Sequence, residues 1–349
     1  MNAVASKNLP SKNQAQESLP YIGITMGDPA GIGPEIVLKA VSDPDLRKFC
    51  KPLIVGDLRY LRRVSKDLGL RLDLSAFDKT DSGKASDRAV SVFDLRNLEE
   101  EFPLGIESAA GGRASAGYIE ASVDLWKNKT IEAIVTAPIN KKALAMGGYD
   151  YPGHTEFLAA LTGTEDFAMS FFAGKLCVVL LSTHVSLRNA IELVKTEDLA
   201  ELIIFTEKNV SALLKRKVKI AVAGLNPHAS EDGMFGTEEA DEITPAVELC
   251  REKFGIDVSG PFSPDTIFLR GYEGEFDAVV SCYHDQATIA VKCLSFGASV
   301  NVTLGLPLIR TSVDHGTAYD IVGKNSADSS SLKAAISLAA DFVRIRKNK

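Results

Sequence analysis

Three continuously apolar segments that each run into a single histidine constrain this sequence more than any other feature. KLCVVLLSTH, KVKIAVAGLNPH and EFDAVVSCYHDQ are apolar at consecutive rather than alternate positions. Strands covered by helices on both faces read this way. YIGITM, KPLIVGD and IEAIVTAPIN have the same character, while LRYLRRVSKDLG and the small-residue run from Ala109 to Lys127 carry helical spacing between them. An α/β protein with a mainly parallel sheet follows. The stretch from Asp73 to Glu101 is polar, with SVFDL as its one strand candidate. Residues 1–20 hold Pro10 and Pro20 in a polar setting, so order is expected from Tyr21 onward.

In an open α/β sheet, ligands bind at the carboxyl ends of the strands. His184, His228 and His284 each stand at such an end. Neutral imidazole suits a divalent ion, and three nitrogen ligands with open positions make a catalytic rather than a structural site. Any one of these histidines could simply cap its loop; three in equivalent places point to a shared ion, with zinc, manganese, magnesium and cobalt equally compatible. Asp285 and Gln286 follow His284 and either orient an imidazole or face solvent in a turn. Asp265, after two prolines, is either a helix cap or a group near the ion or substrate.

GDPAGIGPE, residues 27–35, is neither a P-loop nor the dinucleotide fingerprint. Its backbone N–H groups and the following helix end can hold an anion or a ribose, although a tight turn accounts for Gly31 and Gly33 as well. YPGHTEF sets His154 and Thr155 beside Gly153, which suits either phosphate or carboxylate recognition or local capping. NVTLGLPLIRTSVDHGTAYDIVGK gathers Asn301, Arg310, Asp314, His315 and Asp320 among glycines, and Lys292 lies eight residues beyond His284. Arginine offers a planar fork for phosphate or carboxylate and lysine a compact cation. A lone basic residue is usually solvated; these stand beside glycine-rich and histidine-bearing segments, which favours a pocket.

A formal charge of -7 over 349 residues argues against whole-surface attraction to nucleic acid while leaving room for a local basic pocket. No apolar stretch is long enough to span a membrane and the first twenty residues lack a signal-peptide core, so a cytoplasmic protein is expected. Five cysteines without a CxxC pair read as free thiols in a reducing compartment.

Taken together, ITMGDPAGIGPE, VTAPINKKAL, PGHTEFLA, GLNPHASEDGMFGTEE, SPDTIF, YHDQ and NVTLGLPLIRTSVDHGTAYDI resemble the 4-hydroxythreonine-4-phosphate dehydrogenase family of pyridoxal phosphate synthesis, from about Ile22 to about Gly323. That family is similar to the isocitrate and isopropylmalate dehydrogenases. The resemblance implies two α/β/α lobes with an intervening cleft: a tail at 1–20, a discontinuous cofactor-side lobe from 21–140 plus 301–349, and a metal-binding and dimerisation lobe at 141–300. It implies a homodimer with the metal site near the subunit interface, one divalent metal (Zn, Mg, Mn or Co) on His184, His228 and His284, and NAD or NADP as oxidant. His154, Thr155, Lys292, Asn301 and Arg310 match the family's substrate residues. Gly31, His315 and Asp320 resemble cofactor-side positions, and Lys292, with Asp265 as alternative, is the candidate for moving a proton.

The implied reaction is oxidation of 4-phosphooxy-L-threonine and decarboxylation of the product. Relatives within the family act on phosphorylated threonate or erythronate, and that is the alternative; a non-catalytic metal-binding interaction protein is an alternative of another class. Three departures from the family pattern stand out: Ala287 in place of a glycine after YHDQ, Ala290 in place of a proline, and Ser230 in place of the glycine of NPHAG.

Overall fold

The computed structural model describes residues 19–78, 89–99, 102–295 and 297–348. Twelve strands among them form one sheet: β1 (Tyr21–Thr25), β2 (Lys51–Gly56), β3 (Asp73–Ala76), β4 (Ala89–Asp94), β5 (Ala133–Thr136), β6 (Ala168–Ala173), β7 (Leu176–Leu180), β8 (Ile220–Ala223), β9 (Val258–Phe262), β10 (Ala278–Ser281), β11 (Val300–Leu304) and β12 (Ile309–Ser312). The helices are α1 (Gly33–Val41), α2 (Leu58–Asp67), α3 (Ala109–Lys127), α4 (Lys141–Met146), α5 (His154–Thr162), α6 (Leu187–Glu192), α7 (Thr196–Leu214), α8 (Thr244–Phe254), α9 (Ile267–Glu273), α10 (His284–Ser295) and α11 (Ser330–Lys347). The α/β architecture read from the sequence is the one observed.

Every residue of β5, β7, β8 and β10 is buried, which accounts for their unbroken apolar runs: helices cover both faces of the sheet. Side-chain caps start several helices. Asp57 accepts the Tyr60 N–H at 2.9 Å, Ser108 the Gly111 N–H at 3.0 Å and Asn140 the Ala143 N–H at 2.8 Å, each contributing roughly 1 kcal/mol. The polar Asp73 to Glu101 stretch contributes β3 and β4 at one edge, and β4 includes SVFD.

The strand order is β3-β4-β2-β1-β5-β12-β11-β6-β7-β10-β8-β9. Pairing is parallel on both flanks and antiparallel only at β12/β11, β11/β6 and β6/β7. Those three reversals make β7, β10, β8 and β9 run antiparallel to β1, β5 and β12. The loops after the histidine-bearing strands and the loops after β1, β5 and β12, all at carboxyl ends, therefore leave the sheet at opposite edges. In between, the β11/β12 hairpin turns at Gly305, where φ is +93° and a Cβ would sit 2.2 Å from the Asp166 carbonyl oxygen. Only glycine fits both demands.

α3 and α4 meet through another glycine. A Cβ on Gly112 would come within 1.8 Å of the Ala143 carbonyl oxygen, so the small-residue character of α3 is what allows the close crossing. Gly112→Ala is expected to destabilise the chain by about 1–3 kcal/mol through overpacking, read as a lower urea midpoint at unchanged slope.

Candidate active site

A polar strip crosses the centre of the otherwise apolar sheet. Asn301 of β11 pairs with Ser312 of β12, and Ser312 with Thr136 of β5, so side chains from three adjacent strands share one face. Arg310 is buried among them: its Nε and Nη2 donate to Thr136 Oγ1 at 3.2 and 2.8 Å, and its Nη1 to Asn301 Oδ1 at 3.2 Å and Thr303 Oγ1 at 3.0 Å. Among the described residues, all these hydrogen bonds end on neutral oxygens. Burial pushes the guanidinium down to about 10, with the Glu156 carboxylate acting in the opposite direction, so it remains charged at neutral pH. A buried cation held by neutral groups is unfavourable until an anion joins it.

α5 brings two more groups to this strip. Thr155 Oγ1 lies 3.3 Å from Thr303 Oγ1. His154, the first residue of α5, has a buried Nε2 with no hydrogen-bond partner. Burial, and then the Arg310 charge, hold its imidazole well below the ordinary histidine range, so the ring is neutral at pH 7. Gly153 leaves the helix N-terminus without a side-chain cap, and a helix N-terminus favours anions. The structure thus brings together His154, Thr155, Asn301 and Arg310.

The three histidines follow strands β7, β10 and β8, which are adjacent and parallel. The rings of His184 and His284 have centroids 6.0 Å apart. His284 Nδ1 is 2.7 Å from Asp285 Oδ1, which leaves Nε2 as its free nitrogen, the usual arrangement of a ligand histidine. Gln286 ties the ends of β10 and β8 together: its Nε2 donates to the Gly224 carbonyl at 2.7 Å and its Oε1 accepts from the Cys282 N–H at 2.8 Å. His228 lies beyond β8, at the start of a backbone stretch in which His228, Ala229, Ser230, Glu231 and Asp232 all have φ between 45° and 64°, followed by Gly233 at 90°. Left-handed backbone costs L-residues roughly 1–2 kcal/mol each. Within this one chain, no group of three or more metal-capable side chains is gathered among the described residues. Imidazole donors with free nitrogens nevertheless fit a divalent ion by chemistry.

On the other flank, GDPAGIGPE packs directly on HGTAYDI. Ile32 N–H donates to the Thr317 carbonyl at 3.0 Å, and a Cβ on Gly31 would sit 2.9 Å from Thr317. Tyr319 Oη donates to the buried carboxylate of Asp28 at 2.5 Å; burial is the main cause that raises the Asp28 carboxyl above its usual range. His315 and Asp320 lie on the same loop, Asp320 exposed and His315 partly so. Asp314 is engaged by the hydroxyls of Ser299 and Ser331. Asp265 and Asp285 line a groove of about 470 Å3 along α9 and α10 with Tyr283 and Gln286; Asp265 accepts from Ser263 Oγ at 2.6 Å. Lys292 is exposed on α10, about 12 Å along the helix axis from His284 and roughly 80° around it.

Residues 48–339 match the pyridoxal phosphate biosynthetic protein PdxA family. The chain belongs to this family. It is 44% identical over 329 residues to a D-threonate 4-phosphate dehydrogenase of Cupriavidus necator, covering 94% of this chain and 98% of that protein. It is equally 44% identical to a 4-hydroxythreonine-4-phosphate dehydrogenase of Desulfosudis oleivorans over 323 residues, 92% of this chain and 96% of that one. A 4-hydroxythreonine-4-phosphate dehydrogenase from Klebsiella pneumoniae has a similar solved structure, with a TM-score of 0.85 at 39% identity over 93% of this chain and 99% of that one.

Within the PdxA family framework, sequence reading passed over three supporting residues. Thr136 and Thr303 hold Arg310, and their signal was a hydroxyl interrupting two apolar strands. Glu239, buried, accepts from the Leu225 and Asn226 N–H groups at 2.8 and 2.7 Å just ahead of His228; its signal was its place at the end of GLNPHASEDGMFGTEE.

Two outcomes follow from this geometry. Ser230→Gly is expected to stabilise the chain by about 1 kcal/mol by removing a Cβ from left-handed backbone, seen as a higher urea midpoint. Because the folded state holds His154 below its unfolded pKa of about 6.5, the unfolded chain binds the extra proton in acid. Stability should therefore fall as pH drops below about 6.5, with a slope approaching 1.4 kcal/mol per pH unit from this residue. In His154→Asn the same urea titrations should show that slope reduced.

Proposed function

We propose that this chain oxidises 4-phosphooxy-L-threonine with NAD(P)+ to 2-amino-3-oxo-4-phosphooxybutanoate, a β-keto acid that loses carbon dioxide to give 3-amino-2-oxopropyl phosphate, in pyridoxal 5'-phosphate synthesis. The observation that carries this reading is the buried Arg310 guanidinium with neutral partners. A phosphate supplies an anionic partner in direct contact, which none of the guanidinium's hydrogen bonds provides, and a planar fork matches its oxygens. Thr155, Asn301 and the open N-terminus of α5 add donors around it. His154, neutral, offers a hydrogen bond to the substrate without a second buried charge.

His184, His228 and His284 would hold the divalent ion, zinc, magnesium, manganese or cobalt, which when bound acts as a Lewis acid on the substrate hydroxyl and on the ketone that follows. Gly31, His315 and Asp320 would flank NAD(P)+, the hydride acceptor. Lys292 contacts substrate and moves the proton at the carbon that loses carbon dioxide, with Asp265, on the groove beside His284, as the alternative. The lobes divide as 21–140 plus 301–349 for cofactor and 141–300 for metal and dimerisation, in keeping with the reversal of strand polarity between them. A homodimer with the metal site near the interface is supported by Leu269, Tyr272 and Ile289, which expose apolar surface on α9 and α10. No described helix is long and apolar enough to cross a membrane, and the acidic charge and free thiols support a cytoplasmic enzyme.

D-Threonate 4-phosphate is the second reading, favoured by the name of the Cupriavidus necator relative; it shares the phosphate, hydroxyl and hydride steps and lacks the substrate amine. Purified protein offered each substrate with NAD+ or NADP+ decides between them by NAD(P)H formation. The expected result is higher kcat/KM with 4-phosphooxythreonine, abolished by chelation and restored by a divalent ion. Faster turnover of the threonate ester assigns the second reading, and turnover of neither sinks both. Arg310→Lys, which keeps the charge and loses the fork, should lower kcat/KM by about ten- to hundredfold, the worth of a charge-assisted hydrogen bond.

A further inference from the structure

We infer that Glu239 is a positioning residue for the metal side of the site: its buried carboxylate fixes the backbone from which His228 projects. The inference rests on the reading above that His184, His228 and His284 share a divalent ion. Glu239 Oε1 accepts from two consecutive backbone groups, Leu225 N–H and Asn226 N–H, and its Oε2 accepts from Asn226 Nδ2 at 2.9 Å. The same amide nitrogen of Asn226 donates to Glu238 Oε2 at 2.7 Å. Glu239 stands at the start of the irregular turn Glu239–Ile243 that leads into α8, so the clasp joins the end of β8 to a separate, packed element.

Two residues later the chain enters the left-handed stretch that begins at His228. L-residues have no intrinsic preference for such a stretch, so its path must be imposed by contacts at its ends. Three hydrogen bonds at Leu225 and Asn226 are the anchor nearest its start. The flanking glycines make room for the fold-back: a Cβ on Gly224 would meet Ala229 Cα at 2.9 Å and Glu239 Oε1 at 3.2 Å, and one on Gly236 would meet Glu238 Oε2 at 2.5 Å and Asn226 Nδ2 at 2.7 Å. Among the described residues Glu239 enters no ion pair, and its carboxylate is spent on N–H donors instead. A carboxylate used in this way directs backbone, as groups behind metal ligands do.

The test is cobalt(II) titration of the full-length protein, followed by visible absorbance, alongside NADH binding and thermal melting, for wild type, Glu239→Gln and Asn226→Ala. The cobalt dissociation constant is expected to rise ten- to hundredfold in both variants, with NADH affinity within about twofold of wild type, a split that general loss of structure would not give. Should Glu239→Gln not fold, Asn226→Ala, which touches only the clasp, decides alone. A folded variant that binds cobalt as wild type does overturns the inference, and so does equal loss of cobalt and NADH binding. If the wild type itself binds none of cobalt, zinc, manganese and magnesium, the shared-ion reading fails and this inference with it.

Discussion

The centre of the sheet is organised around one buried charge. Arg310 reaches from β12 to hydroxyl and amide oxygens on β5 and β11, so three strands must keep register for it to be satisfied. A one-residue slip would turn those oxygens to the opposite face and leave a guanidinium in the core, at a cost of several kcal/mol. On the proposed reading, the group that would recognise an anion is also one that specifies the register of the sheet. The cradle stabilises the cation enough to fold around and leaves its charge for a ligand to neutralise.

This charge sits where the sheet changes direction. β11 and β6 are the antiparallel insert between two parallel flanks, and they separate the loops that carry His184, His228 and His284 from the loops after β1, β5 and β12. In a single parallel sheet all these loops would crowd one edge. Reversal divides them between two edges, with the polar strip around Arg310 at the junction.

Much of this was legible in the sequence because it depends on local regularities. Continuous apolar runs marked β5, β7, β8 and β10; α3 begins and ends at the residues where small-residue helical spacing begins and ends, Ala109 and Lys127. The antiparallel insert was not legible. β6 and β7 form one hairpin and β11 and β12 another, but the β11/β6 and β12/β5 pairings join segments remote in the chain, so the place of the insert follows from tertiary context rather than period. The same holds at the site. His154, Thr155, Asn301 and Arg310 could be read as residues of motifs and fall together, whereas the roles of Thr136, Thr303 and Glu239 show only in the hydrogen bonds that the fold brings about. Convergence of the three histidines was a topological expectation; the fold supplies adjacent strand ends, and one chain alone does not gather them.

The departures from the family pattern are of two physical kinds. Ala287 is fully buried on α10 and its methyl packs into the cluster formed by Ile267, Phe268 and Val291, while Ala290 packs against the edge of that cluster. Where a glycine and a proline would leave a gap and interrupt helical hydrogen bonding, this chain has a continuous helix from His284 to Ser295. Those two changes add packing behind the His284 end and stiffen it. Ser230 acts in the opposite sense, placing a Cβ at φ 64° in the turn beyond His228. One histidine thus stands on a reinforced helix and another on a backbone held against its own preference. A ligand that requires both imidazoles draws its ordering cost from the second loop, and that is where clasping side chains gain the most influence over it.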